Sequence, residues 1–176
     1  MTLSGRVWKF GDNLRSSYFF SGKYDALGRA GKFAELAKHV LEDVDPTFVE
    51  RVRPGDILVV GEAFGTGKHL EGPIGALQLL GIAAVLAKSF SAGWERDSIN
   101  MGLPALAYPD VYEQVETGDV LELDCRATTA RNMTRATHFA VTPTPDGIVE
   151  ILQAGGISPY TAKRLGIVDK AKTAAH

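Results

Sequence analysis

The chain of 176 residues contains 45% hydrophobic and 23% charged residues, and its formal net charge is −2. This length and composition fit one globular domain, residues 1–176, with a core of ordinary size. The near-neutral charge argues against a nucleic-acid-binding protein, which would usually carry a basic stripe. Because the N-terminus is polar and no apolar run approaches the ~20 residues of a membrane span, we expect a soluble cytoplasmic protein.

The first third of the chain predicts one strand and two helices. Residues 5–10 form the strand, which ends at a turn cluster beginning with Gly11. Apolar residues recur at helical spacing over residues 33–41. Asp45 and Pro46 are predicted to be the N-cap and the first residue of a second, short helix.

The middle of the chain alternates between short apolar runs and helical patterns. Strands are predicted at residues 57–60, 83–87 and 106–108, with helices at 74–80 and 94–101. This order is typical of a parallel βαβ arrangement with right-handed crossovers, and it predicts an α/β fold.

The last third predicts strands at residues 120–124 and 138–141, closing helices at 148–153 and 159–165, and a frayed end at 170–176. Cys125 is the only cysteine. It cannot form an internal disulfide, and it cannot by itself hold an iron–sulfur cluster or a structural zinc. We interpret it as a partly buried thiol that behaves as a small apolar residue.

The loop after the central strand has an unusual composition, GEAFGTGKHLEGP at residues 61–73. Ligands of open α/β sheets bind beyond the carboxyl ends of strands, and glycines let a backbone approach them closely. Pro73 lies in the first turn of the next helix, whose free N–H groups favour an anion. Since Lys68 and His69 add a cation and a titratable group, the loop predicts a carboxylate or phosphate site.

Two other interpretations of this loop remain. A nucleotide-binding P-loop has four residues between its glycines, whereas five separate Gly61 from Gly67, and His69 replaces the magnesium-binding hydroxyl. The other interpretation is a plain glycine-rich turn with Lys68 and His69 in solvent.

Several segments resemble the small subunits of isopropylmalate and homoaconitate isomerases, which correspond to the mobile last domain of aconitase. Residues 12–24, DNLRSSYFFSGKY, are similar to the family's opening stretch, of the type DNIDTDVIIPARY. Residues 35–62 resemble archaeal-type members, and residues 75–104 follow the family's ALKALGIRAVIAKSF and INNGLP. Residues 132–134 and 150–156 match its C-terminal signatures.

The resemblance implies the swivelling β/β/α domain of the aconitase C-terminal-domain type. It also implies a larger partner subunit that carries a [4Fe–4S] cluster, and the single cysteine of this chain is consistent with that. The implied activity is that of a hydro-lyase or isomerase on a small carboxylic acid, with no metal bound by this chain itself.

The resemblance also places the site residues. In the family the loop reads GENFGCGSSREH, its first serine acts as a base and its arginine clamps a carboxylate. Gly65 and Gly67 match this loop, whereas the two serines fall on Lys68 and His69, and the arginine falls on Leu70.

We therefore predict an altered catalytic loop in which Lys68 or His69 is the base. The predicted substrate-binding residues are Arg15, Ser16, Ser17, Lys23, Gly65, Thr66 and Gly67. Residues 24–32 are interpreted as a lid over an anionic ligand or as an ordinary exposed loop. The alternative function is that of a catalytically silent or regulatory member that assembles with a large subunit.

Overall fold

A seven-stranded sheet organises the molecule, with the strand order β4-β3-β2-β1-β5-β6-β7. The computed structural model describes residues 1–67 and 70–167. The strands are β1 (Thr2–Phe10), β2 (Ile57–Val60), β3 (Ala84–Ala87), β4 (Ala105–Ala107), β5 (Val120–Asp124), β6 (Thr129–Asn132) and β7 (Thr137–Ala140).

Strand β1 joins a parallel half of the sheet to an antiparallel half. Its second part pairs in parallel with β2, with Val7 opposite Ile57, and β2–β3 and β3–β4 are also parallel. Its first part pairs with β5 in antiparallel register, with Thr2 opposite Asp124, and β6 and β7 continue that half. The nine-residue length of β1 allows one strand to serve both halves.

Short helices cover the parallel half and close the C-terminal end. Those that the structure describes are α1 (Ser16–Phe19), a 3-10 helix (Gly22–Tyr24), α2 (Asp25–Arg29), α3 (Phe33–Ala37), α4 (Phe48–Arg51), α5 (Glu71–Leu79), α6 (Ala92–Met101), α7 (Pro109–Gln114), α8 (Asp146–Gln153) and α9 (Ile157–Arg164). None of these helices is both long and apolar enough to cross a membrane.

Two apolar cores lie on opposite faces of the sheet. Consecutive strand residues point to opposite faces, so Leu58 packs in one core while its neighbours Ile57 and Val59 pack in the other. All four residues of β2 and of β3 are buried. This burial on both faces explains why these two strands appear in the sequence as continuous apolar runs.

Several predicted boundaries are wrong. The helix predicted over residues 33–41 ends at Ala37, and Leu41 adopts a left-handed φ of 60° that a helix cannot continue through. Asp45 is not the N-cap of α4, because its carboxylate accepts the Thr47 N–H at 2.9 Å in a turn and the helix begins at Phe48. The sequence prediction also missed α1, α2, α7 and β6, and α2 lies within residues 24–32, which were interpreted as a lid or an exposed loop. The predicted frayed end, residues 170–176, lies outside the described residues.

The parallel strands bring three chain segments to one edge of the sheet. The segments that follow β1, β2 and β3 all leave from the carboxyl ends of neighbouring strands. In this kind of sheet that edge is where ligands bind.

Candidate functional site

A cavity of about 510 Å³ lies between the segment after β1 and the loop after β2. Its polar lining residues are Arg15, Ser16, Ser17, Asp25, Arg29 and Thr66. Its other lining residues are apolar side chains or glycines, namely Phe20, Gly22, Tyr24, Gly28, Leu36, Gly67, Gly72 and Pro73. The lining of the cavity is therefore partly polar and partly apolar.

Residues 61–67, which we call the glycine loop, are hydrogen-bonded along the segment that follows β1. The bonds on this side include Asn13 N–H to Glu62 O (2.7 Å), Glu62 N–H to the Asp12 carboxylate (2.8 Å), Gly65 N–H to Leu14 O (2.9 Å) and Ser16 N–H to Thr66 O (3.0 Å). These bonds fix the two segments that border the cavity relative to one another.

The segment after β3 supports the other side of the glycine loop. Ser89 accepts the Phe64 N–H at its carbonyl (3.1 Å) and the Ala63 N–H at its hydroxyl (3.0 Å). Phe64 and Phe90 also form an isolated parallel bridge. The glycine loop is thus hydrogen-bonded to the segments on both of its sides.

Two glycines of this loop have conformations that other residues rarely adopt. Gly65 has a φ of 76° and Gly67 a φ of 152°. A Cβ on Gly65 would lie 2.5 Å from ring atoms of Trp94, and a Cβ on Gly67 would collide with the Ser16 hydroxyl. These positions require glycine both for backbone conformation and for close packing.

An aromatic cluster packs against the glycine loop. Phe19, Phe64 and Trp94 are fully buried, and their ring centroids lie 4.8 to 5.5 Å apart. Such offset and edge-to-face contacts stabilise a specific arrangement of rings. Because Phe19 belongs to the segment after β1 and Phe64 to the glycine loop, the cluster joins both walls of the site.

Two arginines give the cavity its positive charge. Arg15 and Arg29 line it and are exposed. The ion pairs formed by arginines within residues 1–67 and 70–167 involve Arg6, Arg96, Arg126, Arg131 and Arg135, and neither cavity arginine is among them. Their guanidinium groups remain available to a carboxylate ligand, with Asp25 as the one acidic residue of the lining.

Lys23 is not among the residues that line the cavity. Its ammonium group pairs with the Glu42 carboxylate at 2.6 Å. The same carboxylate accepts the Tyr24 hydroxyl at 3.1 Å and contacts His39 Nδ1 at 2.8 Å, and the Tyr24 and His39 rings stack 4.1 Å apart. Glu42 therefore anchors Lys23 and Tyr24, next to the cavity wall.

The free energy of unfolding should depend on pH through the Glu42 carboxyl. The Lys23 ammonium, followed by His39 and Tyr24, lowers the pKa of the Glu42 carboxyl from 4.5 to about 2. A carboxyl whose pKa is lowered by folding stabilises the protein fully above its ordinary pKa, and this stabilisation is lost as the pH falls towards the lowered value. We expect Glu42→Gln to lower the free energy of unfolding at pH 6, and the difference from wild type to shrink between pH 4.5 and 2.

Urea unfolding at a series of pH values measures this difference. Glu95→Gln is the matched control, because Glu95 forms no ion pair within the described part of the chain. A difference between wild type and Glu42→Gln that stays constant down to pH 2 would contradict the assignment.

The structure thus gathers Arg15, Ser16, Ser17, Thr66 and Gly67 around one cavity, whereas the predicted site residue Gly65 is buried and is not part of the lining. The two residues predicted as catalytic, Lys68 and His69, lie outside the described residues. The sequence prediction missed Phe20 and Leu36 as cavity residues, because an apolar residue at a cavity wall has the same sequence signature as a core residue. It also missed Glu42, which no local pattern connects with Lys23.

The described residues do not fit an iron–sulfur cluster or another metal centre. Among them, no group of three or more His, Cys, Asp or Glu side chains could hold a metal ion. Cys125 follows β5 and is fully buried rather than partly buried as predicted. Burial raises the pKa of its thiol, which disfavours the thiolate that metal binding requires.

Fold and cavity together define a class of protein, an α/β domain whose arginine-lined cavity lies between a glycine-rich loop and the segment after the first strand. Comparisons with known proteins identify the family. The Aconitase C-terminal domain model matches residues 28–111. The chain is 39% identical over 163 residues to a 3-isopropylmalate dehydratase small subunit of Archaeoglobus fulgidus, covering 93% of this chain and 96% of the relative.

Two further similar proteins also carry the name 3-isopropylmalate dehydratase. The 3-isopropylmalate dehydratase small subunit of Thermodesulfovibrio yellowstonii is 37% identical, with 96% of this chain and 99% of the relative covered. A crystal structure of 3-isopropylmalate dehydratase from Methanocaldococcus jannaschii is 32% identical with a TM-score of 0.84, covering 98% of this chain and 99% of that chain. The chain belongs to the 3-isopropylmalate dehydratase small-subunit family, and the predicted swivelling fold of the aconitase C-terminal-domain type is confirmed.

Proposed function

We propose that this chain is the small subunit of a heteromeric hydro-lyase that acts on a small hydroxy-carboxylic acid. The relatives are small subunits of 3-isopropylmalate dehydratase, and they match over nearly the whole chain. The observation that carries the proposal is the cavity between the two predicted active-site segments, with Arg15 and Arg29 in its lining.

The lining supports a substrate with carboxylate groups and an apolar substituent. Charge-assisted hydrogen bonds from guanidinium groups to carboxylates are strong and directional, so Arg15 and Arg29 are suited to bind the acid groups. Ser17 adds a hydroxyl group to the same lining. The Ser16 and Thr66 hydroxyls donate to the carbonyl oxygens of Thr66 (3.4 Å) and Ala63 (3.0 Å), so towards a ligand they act as acceptors. The buried side chains of Phe20 and Leu36 form an apolar wall that can take an alkyl group.

The proposed reaction is the reversible loss of water. The base takes a proton from one carbon, the electron pair of that C–H bond forms a carbon–carbon double bond, and the hydroxyl group leaves the neighbouring carbon with its bonding pair and is protonated to water. Lys68 or His69 takes the proton in this proposal. They are the next two residues after Gly67, which lines the cavity. A lysine acts as a base only as the free amine, which nearby positive charge favours.

In this proposal the [4Fe–4S] cluster lies on the large subunit, as the family resemblance implies, and the single cysteine of this chain is consistent with that. The role proposed for this chain is to bind the carboxylates, orient the substrate and move the proton. The large subunit would complete the site.

Co-expression with the large subunit tests the proposal. The purified complex should dehydrate or hydrate at least one member of a panel of alkyl-substituted malates and citrate-like acids. A complex that assembles with its cluster but turns over none of these acids would support the catalytically silent alternative instead.

Replacing Arg15 with alanine should weaken substrate binding by the complex. A lost charge-assisted hydrogen bond costs about 1.5–3 kcal/mol, so we expect KM to rise about 10- to 100-fold, with a smaller change in kcat. Arg15→Lys should recover only part of the loss, since a lysine cannot reproduce the two-pronged contact.

Steady-state kinetics of the complex measure this effect. The matched control is Arg131→Ala, which removes an exposed arginine of β6 from the antiparallel half of the sheet. If KM is the same in Arg15→Ala and in the control, Arg15 does not bind the substrate.

A further inference from the structure

Ser91 connects the start of helix α6 with the glycine loop. Its hydroxyl accepts the Trp94 N–H at 3.4 Å, as the N-cap of α6, and donates to the Gly65 carbonyl oxygen at 3.0 Å. Its backbone N–H donates to the Phe64 carbonyl at 2.9 Å. One half-buried side chain thus holds a helix start and a loop carbonyl at the same time.

The hydrogen bond from Ser91 to the Gly65 carbonyl also determines the direction of the Thr66 N–H. The Gly65 carbonyl and the Thr66 N–H belong to one planar trans peptide, so they point in opposite directions. Holding the carbonyl towards Ser91 directs the Thr66 N–H away from α6. Thr66 lines the cavity, and its N–H has no acceptor within the part of the chain that the structure describes.

We propose that Ser91 is a positioning residue, which fixes the Gly65–Thr66 peptide so that the Thr66 N–H binds a carboxylate oxygen of the ligand. This inference rests on the proposed function, because it assumes a carboxylate in the cavity beside Arg15. A backbone N–H that is oriented in advance binds an anion without the cost of reorganising the loop.

Three substitutions separate the positioning role from helix capping. Ser91→Asp keeps an acceptor for the Trp94 N–H but has no proton to donate to the Gly65 carbonyl. Ser91→Thr keeps both functions. Ser98→Ala is the matched control on the same helix, since Ser98 is fully buried and its hydroxyl has no hydrogen-bond partner within the described part of the chain.

In the complex with the large subunit, Ser91→Asp should raise KM about 10-fold or more and change kcat less. Its unfolding temperature should stay close to that of the wild type. Ser91→Thr and Ser98→Ala should keep the wild-type KM. A wild-type KM in Ser91→Asp, or a loss in Ser91→Thr as large as in Ser91→Asp, would overturn the proposal.

Hydrogen exchange of the full chain gives a readout that does not depend on turnover. The Phe64 and Gly65 N–H groups bond to Ser89 and Leu14, and they should exchange faster in Ser91→Asp than in wild type or Ser98→Ala. A wild-type complex without hydro-lyase activity would refute the proposed function, whereas unchanged exchange in Ser91→Asp would refute the role of Ser91.

Discussion

Replacing Lys68 with alanine is expected to reduce turnover of the assembled complex by about 10²- to 10⁴-fold, the usual contribution of a positioned general base. We expect this loss because Lys68 follows a residue of the cavity lining in the chain. Lys68 follows Gly67, which packs against Ser16 and lines the cavity. Initial rates at saturating substrate measure the loss, and size-exclusion chromatography should show that assembly with the large subunit is retained.

Two further variants complete this test. Lys163→Ala removes an exposed lysine of α9 and should leave the rate unchanged. His69→Ala decides between the two candidate bases, because only the variant that lacks the base should lose turnover. Wild-type rates in both Lys68→Ala and His69→Ala would eliminate the altered catalytic loop as the source of the base.

Gly65→Ala is expected to lower the free energy of unfolding by about 2–5 kcal/mol and to abolish activity. A left-handed φ costs an alanine about 1–2 kcal/mol, and an overpacked core typically costs 1–3 kcal/mol more. Both costs apply, because Gly65 has a φ of 76° and its Cβ would lie 2.5 Å from the Trp94 ring. Trp94 is fully buried and packed between Phe19 and Phe64, so it has no room to move.

Gly31→Ala is the matched control for the steric part of this effect. Gly31 has a φ of 67°, and a Cβ there would meet no atom within 4 Å. It should therefore show only the backbone cost, about 1–2 kcal/mol. Equal losses in the two variants, measured by urea unfolding, would show that packing against Trp94 does not restrict the loop.

The fold could be predicted best where local pattern and tertiary burial agree. Strands β2 and β5 were predicted to the residue, because the first is buried on both faces and the second alternates between core and solvent. Strand β6 was missed because its inward residues are Ala130 and Asn132, and the buried Asn132 is stabilised by hydrogen bonds to Asp119 and the Gln114 carbonyl. A polar residue satisfied by distant partners carries no local strand signal.

Part of the candidate site could also be predicted from the sequence. Glycine spacing and family resemblance led to Arg15, Ser16, Ser17, Thr66 and Gly67, which the structure gathers around one cavity. Their roles stay predictions until the variants are measured. The loop's supports on Ser89 and Ser91 could not be predicted, because these ordinary polar residues gain their function from the sheet order that places β3 beside β2.

The sequence by itself determined the α/β class, the family and the two segments that form the cavity, because these depend on local pattern and on motifs that stay together along the chain. Only the tertiary structure decided which polar residues are free to bind a ligand. Lys23 and Arg15 are both basic residues of the same segment, yet Lys23 pairs with Glu42 while Arg15 faces the cavity. That difference arises from a carboxylate 19 residues further along the chain, and folding alone brings it within reach of Lys23.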